Sequence, residues 1–258
     1  MTTVAAKDDF MTVAAIGVLA MCLVTFDHEA LGHGGACLAL GGHIQVLTSS
    51  VFRCDLQSKW IAPAGPIANL FMGALALGLA RITPLRHTGL RLFLLTVTAL
   101  SFFWESGYAA LAMIKQNGDL YFAGLDFLGQ PSLYWRLLGG VAGFSLFVFT
   151  IRLINRALRR GWPASSSRRR IVWTLWPFAT AAAVLAALAC NFDRGHDIHD
   201  AFEEIGLASI PLLFMAWGSS AADRASPTIA KNWATLACAG VVFAIFVLTL
   251  GHGIGSQL

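Results

Sequence analysis

The sequence predicts an all-α fold, a polytopic transmembrane helical bundle of six to seven spans with a short β-hairpin after the first span. Three observations lead there. Of the 258 residues 57% are apolar and only 12% charged, against about 25% charged in ordinary soluble domains. The apolar residues come in separate runs of roughly 16 to 25, the length an α-helix needs to cross about 30 Å of hydrocarbon. These runs are bounded by charge. A disordered chain and an ordinary soluble protein are thereby excluded, and no nucleic-acid-binding pattern occurs in the sequence.

Taken in order, the runs predict spans at 10–40, 61–81, 89–114, 133–153, 171–190, 205–219 and 232–251, of which the sixth carries the weakest signal. The first begins beside Asp8 and Asp9, with Lys7 the lone base before it, and no soluble domain follows a small-residue cleavage site; it is read as a retained span. Residues 44–60 hold β-branched residues in loose alternation, which suits a strand or hairpin on the outer face. The stretch Arg159–Arg168 reads as a flexible basic loop, part of a basic segment 152–170 that separates four N-terminal helices from three C-terminal ones.

Eighteen Lys and Arg against fourteen Asp and Glu give a net charge of +4, and seven of the arginines fall between Arg152 and Arg170. With seven spans and the N-terminus inside, thirteen of the eighteen basic residues lie on one side, which marks that side as cytoplasmic. The chain is therefore expected in the lipid bilayer of a bacterial inner membrane, N-terminus in the cytoplasm. The basic segment sets topology and offers a surface to anionic lipid.

The first span contains Asp27-His28-Glu29-Ala30-Leu31-Gly32-His33. Ionisable side chains at membrane depth cost a few kcal/mol each, so four within seven residues call for compensation, and a metal ion supplies it. In the zincin pattern H-E-x-x-H two histidines four apart face one zinc, and the glutamate between them takes a proton from water. Here the spacing is five, which separates His28 and His33 by about 140° on a regular helix instead of about 40°. One π-type insertion restores the shared face, and Gly32 makes that distortion cheap. The pattern resembles the H-E-x-x-G-H motif of the soluble zinc dipeptidyl peptidase III family, where the extra residue is accommodated and zinc is still bound. A third protein ligand is needed, for which Asp119, Asp126, Glu105 and Asp27 are candidates.

With Ala64-Gly65-Pro66-Ile67-Ala68-Asn69 opening the second span, and Gly107-Tyr108 followed by Asn117-Gly118-Asp119 after the third, the chain resembles the site-2 protease family of intramembrane zinc metalloproteases. The resemblance covers about residues 10–130, so that 1–130 is expected to be the zinc core and 131–258 a set of further transmembrane helices. It implies zinc held by His28, His33 and Asp119, with Asp126 the rival third ligand. It further implies Glu29 as general base and Asn69 as a residue that orients substrate or holds the oxyanion, or else ties helix two to helix one. The substrate implied is a membrane protein cut in or near a transmembrane segment. The histidine spacing and the shortened aspartate motif depart from the family's pattern, and an inactive scaffold is the alternative.

Other readings have less behind them. A di-iron hydroxylase needs about eight histidines and the chain has seven, with His43, His87 and His252 isolated. His196, His199 and Glu203 are a second candidate metal group, set against a solvated acidic turn. A partner subunit held through the C-terminal helices would use Gly139, Gly140 and Gly143. A transporter is disfavoured, since no inverted repeat is found. Of the five cysteines, Cys54 and Cys190 are expected toward the outer side, where they can pair in an oxidising compartment, and Cys22 and Cys37 read as packing residues.

Overall fold

The computed structural model describes residues 7–129, 132–215 and 227–255. Among them six helical stretches are long and apolar enough to cross a membrane: Phe10–Ala39, Ile61–Ile82, Thr88–Lys115, Leu133–Gly161, Ser165–Ala187 and Trp233–Gly251. The chain is an α-helical membrane protein. Large apolar side chains such as Phe71, Leu138 and Leu248 stand exposed on its flanks, as lipid-facing surfaces require.

Helix α1 (Phe10–Phe26) begins where Asp9 caps it, accepting from the Thr12 backbone N–H at 2.9 Å and the Thr12 hydroxyl at 2.7 Å. It continues through a π-helical turn, Asp27–Gly34, into α2 (Gly35–Ala39), so that the first span is one rod with a widened segment. Strands β1 (Ile44–Leu47) and β2 (Phe52–Cys54) form the expected hairpin, with Leu47 opposite Phe52. Helices α3 (Ile61–Ile82), α4 (Thr88–Lys115), α5 (Asp119–Leu128), α6 (Leu133–Gly161) and α7 (Ser165–Ala187) follow. Then come α8 (Arg194–Ala201), a π-turn at Phe202–Leu207, α9 (Pro211–Phe214), and α10 (Trp233–Phe246), which ends in a third π-turn, Val247–Gly251. A final strand, β3 (Ile254–Gly255), pairs with β1 and makes the sheet order β2-β1-β3.

Helices α1 and α4 form the centre: α3 and α6 pack on α4, α7 and α10 pack on α1. Small residues permit the closest approaches. A Cβ on Gly143 of α6 would lie 2.7 Å from the Ala110 backbone nitrogen, and one on Gly17 of α1 would lie 2.7 Å from the Leu175 carbonyl oxygen. Gly139 likewise packs on Met113 of α4. Two of the glycines expected at a partner surface are thus used inside the chain. One apolar core runs from Val13 to Leu250 and joins the parts on either side of residue 130.

Two expectations need correction. The run 205–219 is not a continuous helix; its described residues belong to the broken path of α8, the π-turn and α9, and residues 216–219 lie outside the described ones. The helical path runs through Gly206 to Ser209 and breaks at Ile210, whose N–H turns back to the Leu207 carbonyl just before Pro211, a residue with no N–H to continue the helix. This stretch still takes the chain from one end of the bundle to the other. Ser50 beside the sheet donates to the Asp197 carbonyl, while the Ile229 N–H bonds the Asp8 carboxylate at 3.0 Å at the start of α1. Secondly, the basic segment is no long loop. Arg159 and Arg160 close α6, Arg168–Arg170 sit in the opening turns of α7, and only 162–164 join the two helices. Basic side chains at helix ends reach the headgroup level without unwinding the helix.

Candidate metal centre

The π-turn Asp27–Gly34 brings His28 and His33 to one face despite their spacing of five, as the added residue per turn requires. Their Nε2 atoms lie 3.2 Å apart. Asp119, in the first turn of α5, completes the group, its Oδ2 3.3 Å from His28 Nε2 and 3.4 Å from His33 Nε2. The backbone between α4 and α5 makes this possible: Gln116 is left-handed (φ 57°) and Gly118 has φ 99°, which turns the chain back toward the π-turn. A Cβ on Gly118 would also lie 2.7 Å from the Tyr108 hydroxyl.

The far nitrogens of the two rings fix how each ring is turned. His33 Nδ1 is 2.8 Å from the Ile61 carbonyl oxygen, which can only accept, so Nδ1 carries a proton and, in the neutral ring, Nε2 presents a lone pair. His28 Nδ1 donates to Glu105 Oε1 at 2.9 Å, and Asn69 Nδ2 donates to the same oxygen at 2.7 Å. Two ring nitrogens and a carboxylate oxygen converge within 3.4 Å of one another in a buried place. With both rings neutral the triangle is repulsive unless a cation sits against it; a proton on either Nε2, shared with Asp119, meets the same need. The triangle's edges match a tetrahedral ion bonded at about 2.0–2.1 Å, whose ligand atoms stand about 3.3 Å apart. The donor set can hold a metal ion. Burial pushes the Asp119 carboxyl up, and its contacts to His28 and His33 outweigh that, leaving it well below the ordinary carboxylate range.

No family model, curated protein or solved structure matches this chain. Its chemistry is read from the site alone.

Glycines hold the helices close enough for the site to form. A Cβ on Gly65 would come within 2.4 Å of His33 Nε2 and 2.7 Å of His28 Nε2, so only glycine leaves the space in front of the donors clear. Gly32 has a larger role than easing the π-turn: a Cβ there would meet Gly65 Cα at 2.6 Å, making this the crossing point of the first span and α3. Trp104 stacks on His28 with ring centroids 4.4 Å apart, and Phe52 of β2 stacks on His33 at 5.6 Å. A disulfide between Cys37 and Cys54 ties α2 to β2. Cys54 therefore does not pair with Cys190, which is a buried free thiol, and Cys37 is a disulfide partner where a packing residue was expected.

A cavity of about 700 Å³ opens beside the donors, lined by Glu29, His33 and Asp119 among others. Of the rival ligands, Asp126 lies two turns along α5 and lines the cavity without joining the donor group. Glu105 sits behind His28 rather than in front of it, and Asp27 is buried apart from the group. Asn69 is placed differently from expectation. It is fully buried and bonds Glu105, so it supports His28 from behind through α4 rather than facing a substrate or tying α3 to α1. His199, Asp200 and Glu203 do gather, but Lys115 engages both Glu203 oxygens at 2.7 Å, and His196 pairs with Asp200 at 3.1 Å instead of joining them. The sequence signal for Glu105 was its isolation as the one acid in an otherwise apolar span; Trp104 and Phe52 gave none.

Proposed function

We propose that the chain is an intramembrane zinc metalloprotease of site-2-protease type that cuts a membrane-protein substrate in or near a transmembrane segment. The observation that carries this reading is the triangle of His28 Nε2, His33 Nε2 and Asp119 Oδ2, with edges of 3.2–3.4 Å, beside Glu29 at the wall of one cavity. Two imidazoles and one carboxylate form a donor set that suits zinc and leaves a position free for water or substrate. His28, His33 and Asp119 would hold the zinc ion, which would supply polarisation of a peptide carbonyl and acidify water enough for deprotonation near neutral pH.

The remaining work falls to residues of the chain. Glu29 takes the proton from water and returns it to the departing amine nitrogen, the role of a general base that becomes a general acid. Glu105 and the Ile61 carbonyl keep both histidines in the Nδ1–H form and aim their Nε2 atoms. Trp104 and Phe52 wall the rings from competing solvent. Strand β2 is an edge of the sheet and its Phe52 and Cys54 line the cavity, so an unwound substrate segment can pair along it in extended form.

Orientation has two supports. The disulfide Cys37–Cys54 lies at the end of the bundle that carries the site, as suits an oxidising compartment. At the opposite end Arg170 pairs with Asp8 at 3.3 Å, in the basic segment expected on the cytoplasmic side. The reading therefore has the N-terminus cytoplasmic and the site toward the outer half of a bacterial inner membrane.

Cleavage of a model transmembrane substrate by purified, zinc-loaded protein tests the proposal, with Glu29→Gln as the control that keeps the fold and the metal donors. Cleavage abolished in Glu29→Gln is the expected result. Bound zinc with no cleavage of any substrate in a varied transmembrane panel favours the inactive scaffold instead.

A further inference from the structure

Glu204 lines the same cavity as Glu29, His33 and Asp119, yet it comes from the C-terminal part of the chain. It is only 7% exposed, and its carboxylate has neither a hydrogen bond nor an ion pair among the described residues. Its neighbour Glu203 behaves in the ordinary way, turned toward the surface with Lys115 on both oxygens. Desolvation and the neighbouring Glu29 charge push its acid well above the ordinary carboxylate range, and a cation brought against it from the cavity would restore the carboxylate.

The placement is built in. Glu204 stands on the π-turn Phe202–Leu207, and that turn is anchored to α7. Trp176 Nε1 donates to the Gly206 carbonyl at 3.1 Å, the Ser209 hydroxyl bonds the Ile205 carbonyl, and a Cβ on Gly206 would meet Thr180 at 2.9 Å. Of the three π-turns described, two face this cavity, one presenting His33 and Glu29, the other Glu204. Such insertions change which residues share a face and tend to occur at functional sites.

The cavity wall carries four carboxylates, Glu29, Asp119, Asp126 and Glu204, against one lysine, Lys59. Lys59 lies over the Phe127 ring at 4.9 Å, next in sequence to Asp126. A divalent ion held by the donor triangle offsets Asp119 and Glu29, which leaves Glu204 without a counter-charge. We propose that Glu204 binds a cationic side chain of the substrate, Lys or Arg, so that the enzyme selects membrane-protein segments with a basic residue close to the bond it cuts. This deepens the protease reading and rests on it. The C-terminal helices then form part of the substrate site.

The test uses full-length, zinc-loaded protein in detergent and short peptide hydroxamates that differ only in carrying lysine, norleucine or glutamate at one position. Binding is measured by displacement of a fluorescent hydroxamate, and zinc content is measured on every sample. The lysine probe is expected to bind wild type at least about tenfold more tightly than the norleucine probe, and the glutamate probe more weakly than either. In Glu204→Gln the lysine preference should fall to less than about threefold with zinc retained. Equal binding of the three probes to wild type refutes the role of Glu204 without needing the variant. A lysine preference that persists in zinc-loaded Glu204→Gln refutes it as well. Failure of every hydroxamate to bind protein that does hold zinc overturns the protease reading, and this proposal with it.

Discussion

Replacing Glu105 tests the support behind the metal donors. The residue is 1% exposed, and its Oε1 accepts from His28 Nδ1 at 2.9 Å and from Asn69 Nδ2 at 2.7 Å. A carboxylate in this position fixes the ring tautomer and raises the basicity of the ligating nitrogen, and losing such a partner costs about 10–100-fold in metal affinity, or about 1.4–2.7 kcal/mol. Glu105→Gln keeps an oxygen for His28 and removes the charge, so it should fall near the lower end, about tenfold. Glu105→Ala removes the acceptor of both His28 and the buried Asn69 amide and should approach about a hundredfold. Zinc affinity measured by competition with a chromogenic chelator at fixed pH, with a thermal melt on the same samples, reads both effects. Unchanged affinity in Glu105→Ala refutes the supporting role. Complete loss of zinc in a folded Glu105→Gln would make Glu105 a ligand itself and contradict the placement of Asp119.

Two further outcomes follow from local geometry. Gly65→Ala keeps all three donors but sets a methyl 2.4 Å from His33 Nε2; zinc retention should fall at least about tenfold while helicity by circular dichroism is preserved, and full loading would contradict the packing. Asp9→Ala removes the cap of α1 and should cost about 1 kcal/mol in thermal stability. Hydrogen bonds from Thr12 hold the Asp9 carboxyl below its ordinary range, so the cap contributes fully above about pH 3.9 and is lost as pH falls through the lower folded value. The wild-type and Asp9→Ala melting curves should therefore converge in acid.

Much of the fold was legible because a bilayer demands long apolar runs, and these showed directly in the sequence. The unusual histidine spacing was legible for the same kind of reason: two side chains five apart can share a face only through a π-turn, and one is there. The hairpin at 44–54 followed from its β-branched residues, but β3 did not, since two residues beside a glycine give no periodicity to read. The run from 205 was misjudged because the helix breaks at Ile210, before Pro211, inside an apolar stretch. At the site, the motif favoured Asp119 over Asp126, and the left-handed turn at Gln116 and Gly118 sets Asp119 beside the two histidines. Asn69 was misplaced because sequence gives its helix face but not the depth at which α3 meets α4. Glu204 was hidden among the acids from Asp193 to Glu204, where only the fold distinguishes the two buried members, Asp197 and Glu204, from the more exposed ones.

Zinc per chain in detergent-purified wild type, His33→Ala, Asp119→Ala and Asp126→Ala, determined by mass spectrometry, tests the central claim most directly. The geometry predicts about one zinc in wild type and in Asp126→Ala, and loss of it in His33→Ala and Asp119→Ala. Absence of zinc from wild type prepared with zinc present, or its loss in Asp126→Ala with retention in Asp119→Ala, would contradict the donor triangle.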